Sequence, residues 1–390
     1  METEACRDIR SEAIAYDPVA KALWLQRQWP NYPGAPESGI ACLTMVLRAI
    51  YARLPKGWEE KMRSKESENP LLRHAWLKFA GDPECDGSAL NQVVSDLYGQ
   101  PFETSQTKYA HELRFESLVN SEHMMKTLWC QEEFRIFQQL LWCHHEYSEG
   151  WVAFDPDDAP DNIITRLGYF HPVPSPGVIA VRISPNSDLS EEVSKVFGQE
   201  SDSPGHFTVL ARPAAPSFMY MTAIITEGRG QVTIDMLRSF KLACGCFEET
   251  DSGVVWKEAV QSVNYTIVAL VRYRRFQQGC DRIRLFDSLG QNIQPLHDVG
   301  QYADQEWEAD ALNPGSKLFL LFAQNDYFID DLTLGGAQTE TQIRAVKNQE
   351  MLQRALDRVG WVREVTPRTG YITSPATGRK GRETNVVVID

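Results

Sequence analysis

The pattern of apolar residues changes near residue 150, and this change limits the folds open to the chain. Before it, apolar residues recur at helical spacing over 43–54, 89–98 and 134–147. After it, short β-branched or aromatic runs are bounded by Pro and Gly, as in strands. These predicted strands cover 178–183, 207–211, 218–225, 265–273, 283–286 and 317–322. The sequence therefore predicts an α+β fold, with a helical first part followed by a mainly antiparallel β part.

Composition narrows the class of protein further. The chain has 390 residues, 43% hydrophobic and 24% charged, which is enough to bury one large core or two modest ones. No run approaches the ~20 apolar residues of a membrane span. The opening METEACRDIRSEAIAYD has no apolar signal region and mixes acids with bases. We therefore expect a cytoplasmic protein that does not span a membrane.

The eight cysteines are scattered, which favours free thiols over a disulfide framework. The close pair Cys244 and Cys246 has no second pair at metal-binding spacing. The neighbours His144 and His145 would point to different faces of a predicted helix. We therefore predict no metal site and no cofactor.

The charge is unevenly distributed. The chain carries 53 Asp+Glu and 39 Lys+Arg, a net charge of −14 that argues against broad binding to nucleic acid. Residues 337–390, however, contain nine basic and six acidic residues, which gives this tail +3 and the remainder −17. Within the tail, 340–359 is predicted to be an amphipathic helix and 366–384 a mobile basic segment.

The arginines predicted to contact an RNA backbone or another substrate are Arg272, Arg274, Arg275, Arg282, Arg284, Arg354 and Arg358. The alternative is a solvated tail and solvent-facing positions on an edge strand.

Cys42 is a candidate nucleophile because it lies near the start of a predicted helix. The helix dipole and free N–H groups at such a position lower a thiol pKa and stabilise an oxyanion. The alternative is that Cys42 is a small buried residue in the first turns of the helix.

Five segments of the chain carry recognisable patterns: Met45–Ile50, Glu133-Phe134 with 138–141, 265–271, 284–288 and 318–322. In this order they resemble the opening helix, the Glu-Phe…Leu-Leu helix, the strand before the Gly-His-Tyr motif, the Phe-Asp segment and the closing strand of the ubiquitin-specific proteases, a papain-like family. The resemblance implies a papain-like α+β fold with the third triad residue at Asp287. It also implies three regions: an extension over 1–30, the protease-like domain over 31–336 (helical over 31–150, β over 151–336), and the basic tail over 337–390.

The departures from the family bear on activity. Ala41 stands where the family has its catalytic Cys, Gly39 replaces the oxyanion Asn, and Cys42 aligns only after a shift of one residue. The Gly-His-Tyr position reads Gly279-Cys280-Asp281, so the general base is missing. Ordinary deubiquitination is therefore not expected.

Three functions remain open. The first is acyl transfer to an amine, which needs mainly orientation and an oxyanion stabiliser. The length, the architecture and the lost triad also resemble the fungal arginine-containing cyclodipeptide synthases, which implies an aminoacyl-tRNA partner. For this function the candidate catalytic residues are Cys42, Glu133, Cys280 and Asp287.

The second function is that of a pseudo-deubiquitinase, which binds ubiquitin without catalysing a reaction. The third is a thiol hydrolase in which His206 serves as the base for Cys42.

Overall fold

The structure is a computed structural model. It describes residues 7–11, 18–32, 37–54, 56–79, 81–99, 111–144, 152–153, 179–201, 207–250, 253–274, 279–287, 292–293, 295, 302, 312–325, 362–366 and 369–373. Within these ranges, no helix has both the length and the apolar character needed to cross a membrane.

The first part of the chain is helical, as predicted. The helices are α1 (Pro18–Arg27), α2 (Ser38–Tyr51), α3 (Lys56–Arg63), α4 (Pro70–His74), α5 (Pro83–Tyr98) and α6 (Phe115–Val119). The predicted helices over 43–54 and 89–98 are thus confirmed, although α2 and α5 both begin earlier. The start of α5 follows from its cap, because the Asp82 side chain accepts hydrogen bonds from two backbone amides of the first turn. The helix α5 ends at Tyr98 and is followed by Gly99, whose φ of +67° lies in the left-handed region that glycine adopts readily.

α2 is buried along its entire length. Its first turn packs so closely on the backbone before α6 that a Cβ on Gly39 would lie 2.0 Å from the Leu113 carbonyl oxygen. Only glycine allows this approach, so Gly39 fixes how deeply the helix lies in the core.

The second part forms two sheets and a separate hairpin. The strand bounds are β1 Phe137–His144, β2 Val152–Ala153, β3 Ile179–Ile183, β4 Gly198–Ser201, β5 Phe207–Pro213, β6 Phe218–Ile225, β7 Ser239–Thr250, β8 Gly253–Arg272, β9 Arg282–Phe286, β10 Asn292–Ile293, β11 Lys317–Gln324, β12 Val362–Thr366 and β13 Thr369–Thr373. A four-stranded sheet has the order β2-β1-β5-β4, and a seven-stranded sheet has the order β10-β9-β8-β11-β6-β3, with β7 also paired to β8. Only β3 and β6 pair in parallel among the described strands, so the predicted antiparallel character is confirmed.

The seven-stranded sheet separates two hydrophobic cores. The helix-side core joins the helices to one face of the sheet and includes Ile40, Leu43, Val271, Ile283, Leu285, Phe319 and Leu321. The far-side core covers the opposite face and includes Val181, Leu189, Met221, Leu270, Phe286, Leu318 and Leu320. Leu189 belongs to α7 (Leu189–Ser194), which packs near β3 and β7. This layout agrees with the predicted papain-like α+β class, with α2 buried against the sheet.

The predicted helix over 134–147 is wrong. Glu132–Phe134 form a 3₁₀ turn, and Phe137–His144 form β1, which pairs with β2 on one side and β5 on the other. Pairing on both sides outweighs the local helical spacing, because each strand residue gains ladder hydrogen bonds that periodicity does not reveal. The resemblance of 138–141 to a family helix therefore does not hold.

The structure describes parts of both ends of the chain. Within the predicted N-terminal extension over 1–30, Ile9, Leu25 and Trp29 are buried in the helix-side core. In the tail, β12 and β13 form an antiparallel hairpin that includes part of the predicted basic segment. The predicted helix over 340–359 lies outside the described residues.

Candidate functional site

The connection between β8 and β9 meets the start of α2. The backbone N–H of Asp281 donates a hydrogen bond to Ser38 Oγ at 2.9 Å, across 243 positions of sequence. The two segments that correspond to the nucleophile helix and the Gly-His-Tyr motif therefore lie against each other. This is the position at which a papain-like protease would be expected to hold its catalytic pair.

Asp281, at the contact between the β8–β9 connection and α2, has a buried carboxylate. Its Oδ2 accepts from the Phe115 backbone amide at 3.1 Å and its Oδ1 from the Arg274 backbone amide at 2.9 Å. The Arg274 Nε lies 4.0 Å from Oδ2. Burial raises the pKa of this carboxyl, although the two amides and Arg274 act in the opposite direction. Asp281 therefore contacts α2 through its backbone amide, and the start of α6 and the end of β8 through its side chain.

Cys42 is enclosed in the helix-side core with a relative exposure of 0%. Burial raises the pKa of its thiol well above the ordinary value, and the nearby Asp281 and Cys280 raise it further. A thiol in this setting stays protonated at neutral pH and is closed to solvent. The geometry therefore favours the alternative interpretation, in which Cys42 is a packing residue. Ala41, the ungapped match to the family's Cys, is equally buried.

Cys280 stands where the family has its catalytic histidine, but a thiol does not replace the imidazole as a general base. It is half-buried, and burial raises the pKa of its thiol, while Arg282 acts in the opposite direction. A protonated thiol is not a general base at neutral pH. Asp287, the match to the third triad residue, is half-buried and directly follows the end of β9.

Glu133 does not lie on the helix predicted for it. It lies in the 3₁₀ turn before β1, and its carboxylate is 3.5 Å from Lys61 Nζ on α3. It pairs with a surface lysine, which is a common arrangement for a half-exposed carboxylate.

The arginines predicted to bind RNA or another substrate differ in burial and in surroundings. Arg284 is buried, with 5% relative exposure, whereas Arg272 and Arg282 are half-buried. Arg274 lies beside Asp281 with a side chain only 3% exposed. The predicted edge-strand alternative is wrong for Arg284, because β9 pairs with β8 on one side and β10 on the other. Of the remaining candidates, Arg275, Arg354, Arg358, His206 and His145 lie outside the described residues.

A buried polar centre around Arg48 was not predicted. The Arg48 guanidinium donates to the carbonyl oxygens of Ala75 (2.8 Å), Leu77 and Gln28 and lies over the rings of Trp24 and Phe79. Burial lowers the pKa of Arg48 to about 9. The sequence feature that could have indicated this centre is Arg48 itself, an arginine within an otherwise apolar helix.

His74 lies in the same region and hydrogen-bonds Tyr32, with 2.6 Å between Nε2 and the hydroxyl. Burial lowers the pKa of His74 to about 3, and the charge of Arg48 contributes. Both residues stabilise the fold around α2 and α4. In the part of the chain that the structure describes, no three His, Cys, Asp or Glu residues are grouped to hold a metal ion.

Comparison with known proteins gives matches only among solved structures. No protein-family model and no curated protein matches the chain. A SAGA Ubp8/Sgf11/Sus1/Sgf73 DUB module bound to ubiquitin aldehyde matches with a TM-score of 0.42 and 11% identity, over 78% of this chain and 70% of that one. A Saccharomyces cerevisiae Pan2 pseudoubiquitin hydrolase–RNA exonuclease module with AAGGA RNA has a TM-score of 0.34 and 8% identity, over 87% of this chain and 58% of that one. The S. cerevisiae PAN2 pseudoubiquitin-hydrolase has a TM-score of 0.28 and 8% identity, over 84% of this chain and 89% of that one. With TM-scores below 0.5, these likenesses carry no assignment of residues or activity.

Proposed function

We propose that this chain is a non-catalytic, protease-like domain that binds a protein partner, the pseudo-deubiquitinase among the three functions considered. The observation that carries the proposal is the position of Asp281. Its backbone is bonded to the start of α2, and its carboxylate is bonded to the amide at the start of α6. The residue that stands where thiol chemistry would require a base is thus Cys280, and the residue after it is a structural carboxylate.

The state of the thiols supports the same proposal. Nucleophilic catalysis by Cys requires a thiolate that is reachable by substrate and an adjacent base. Cys42 is fully buried, and the pKa values of both Cys42 and Cys280 are raised by burial. Each shift opposes thiolate formation, so hydrolysis at this site is not expected.

Ubiquitin is the first partner to test, because the resemblance of the sequence to ubiquitin-specific proteases implies a cleft of that size. The experiment is a titration of ¹⁵N-labelled ubiquitin with the purified chain, followed by amide chemical shifts. Saturable, localised shift changes support the proposal, and their absence at millimolar concentrations overturns ubiquitin as the partner.

Chemistry is tested separately with a ubiquitin vinyl probe and a fluorogenic ubiquitin substrate. The proposal predicts no turnover and no adduct in the unmodified chain or in Cys42→Ala. An adduct that disappears in Cys42→Ala would overturn it in favour of the thiol hydrolase.

Aminoacyl-tRNA-dependent synthesis of an arginine-containing cyclic dipeptide stays a prediction. It is tested by supplying the chain with aminoacyl-tRNAs and searching for diketopiperazines by mass spectrometry. Product formation that depends on the chain would replace the binding proposal with an acyl transferase.

A further inference from the structure

A cavity of about 510 Å³ opens beside the first residues of β7. Its lining comes from β7, β8, the end of β11 and the start of α7, and includes none of the residues that hold Asp281 against α2. The volume lies within the range of ligand sites in proteins, which is about 300–1,000 Å³. The cavity is therefore a candidate binding site outside the region described above.

The strand register assembles the floor of this cavity. Ser239 on β7 is the cross-strand partner of Thr266 on β8, and Lys241 is the partner of Asn264. Partners in a ladder, and residues two apart on one strand, project to the same face of a sheet. Thr266 Oγ1 donates a hydrogen bond to Asn325 Oδ1 at 2.8 Å, which adds the residue after β11 to the same surface.

The alternation of burial agrees with this arrangement. Phe240 and Tyr265, which lie between the polar positions, are buried in the far-side core, whereas Ser239, Lys241 and Asn264 are exposed. The polar face is therefore the one turned away from the far-side core. Phe240 is only 2% exposed, so it offers the cavity little apolar surface.

The start of α7 closes the cavity at the edge of β7. Ser190 Oγ accepts a hydrogen bond from the Lys241 backbone N–H at 3.1 Å, and Asp188 Oδ1 accepts one from the Ser190 backbone N–H at 2.6 Å. Because the edge amide of Lys241 already has an acceptor, an extended peptide cannot pair with it by strand addition. A ligand of this cavity is therefore recognised by side chains.

The side chains of the floor retain hydrogen-bonding capacity. Within the described ranges, Ser239 Oγ, the Asn264 carboxamide and Lys241 Nζ make no hydrogen bond or ion pair. Hydroxyl and carboxamide groups both donate and accept hydrogen bonds, so they match a ligand whose own groups do the same. The closely spaced hydroxyl groups of a sugar meet this requirement.

The formal charges of the lining balance. Asp188 contributes a carboxylate and Lys241 contributes an ammonium group. One cation offset by one anion does not favour phosphate, which is held best by several cationic donors. A neutral polyhydroxyl compound fits this balance, because its hydroxyl groups can accept from the ammonium group and donate to the carboxylate.

We propose that this cavity binds a neutral carbohydrate, held by the hydroxyl and carboxamide side chains of β7, β8 and Asn325. This goes beyond the proposed protein-binding function and does not depend on it.

The test is saturation-transfer-difference NMR followed by isothermal titration calorimetry, with lactose, maltose and N,N′-diacetylchitobiose as probes. Inorganic phosphate and glycylglycine are the anionic and dipolar comparison ligands. The variants are Ser239→Ala, Asn264→Ala and the double variant, because both side chains are exposed and neither holds another described residue in place. The matched control is Asn91→Ala, which removes an exposed carboxamide of α5. Circular dichroism establishes that each variant is folded.

We expect at least one disaccharide to bind, each single variant to weaken its affinity about two- to tenfold, and Asn91→Ala to leave it unchanged. The affinity should change little with salt, because the ligand carries no charge. The proposal is overturned if no disaccharide binds at millimolar concentrations, if Asn91→Ala weakens binding as much as the double variant, or if phosphate or glycylglycine binds more tightly than the disaccharides. Protein binding by the domain is measured independently with ubiquitin, so either proposal can fail alone.

Discussion

The backbone amide of Asp281 and the hydroxyl of Ser38 are joined by a 2.9 Å hydrogen bond, which docks the β8–β9 connection on the first turn of α2. The carboxylate of the same residue accepts the backbone amides of Phe115 and Arg274. One buried residue therefore connects three elements around the first turn of α2.

Removing this carboxylate should destabilise the fold. Asp281→Ala leaves two buried N–H groups without an acceptor, and we expect the free energy of unfolding to fall by about 2–4 kcal/mol. Asp281→Asn keeps one carbonyl acceptor and should lose less. Urea denaturation monitored by tryptophan fluorescence measures both.

The matched control is Asp235→Ala. Asp235 forms an ion pair with Arg238 in which both side chains are exposed, at 76% and 44%. Its loss should change stability by less than about 0.5 kcal/mol. An equal effect of the two alanine variants would contradict a structural role for Asp281.

The close approach of α2 to the α6 backbone makes Gly39 intolerant of a side chain. Gly39→Ala places a Cβ 2.0 Å from the Leu113 oxygen and 2.5 Å from the Phe115 nitrogen, so the helix must move. We expect a loss of at least about 3 kcal/mol or failure to fold. Gly87→Ala in α5 meets nothing within 4 Å and should instead stabilise the chain by about 0.5–1 kcal/mol.

Stability should also depend on the protonation of His74. Its pKa is lowered to about 3 in the fold, against the ordinary 6.5, so protonation favours the unfolded chain. The contribution is complete above pH 6.5 and is lost as the pH falls toward 3, by up to about 1.4 kcal/mol per unit.

The variant that isolates this effect is His74→Phe. Its stability is lower at neutral pH, because Tyr32 loses this hydrogen bond, but its decline between pH 6.5 and 4 should be flatter by about one proton. Denaturant melts across this range give both slopes. Parallel slopes in the two proteins would show that His74 is protonated in the fold.

The burial of Cys42 predicts protection from alkylation. Under native conditions at pH 7.5, iodoacetamide should modify Cys42 at least about 100-fold more slowly than Cys130, which is exposed. Peptide mass spectrometry follows both sites, and unfolding in urea should make their rates similar. Rapid native modification of Cys42 would contradict the packing role assigned to it.

The sequence alone determined the elements whose local pattern and tertiary role agree. The apolar residues at helical spacing in α2 and α5 and the β-branched or aromatic residues of β3, β6, β9 and β11 favour the conformations observed, and the order of these elements indicates the α+β class. Local rules misassigned β1, because its helical spacing is outweighed by pairing with the nearby β2 and, along most of its length, with β5, which is distant in sequence.

Only the tertiary structure decided the state of the candidate site. Sequence spacing placed Cys42 at a helix mouth and showed that the histidine was missing, but it contains no information on burial. The helix-side core encloses the Cys42 thiol and its burial there raises the pKa, since desolvation depends on the neighbours that the whole fold assembles. For the same reason, the burial of Arg284 and the placement of Arg274 beside Asp281 became visible only in the tertiary structure.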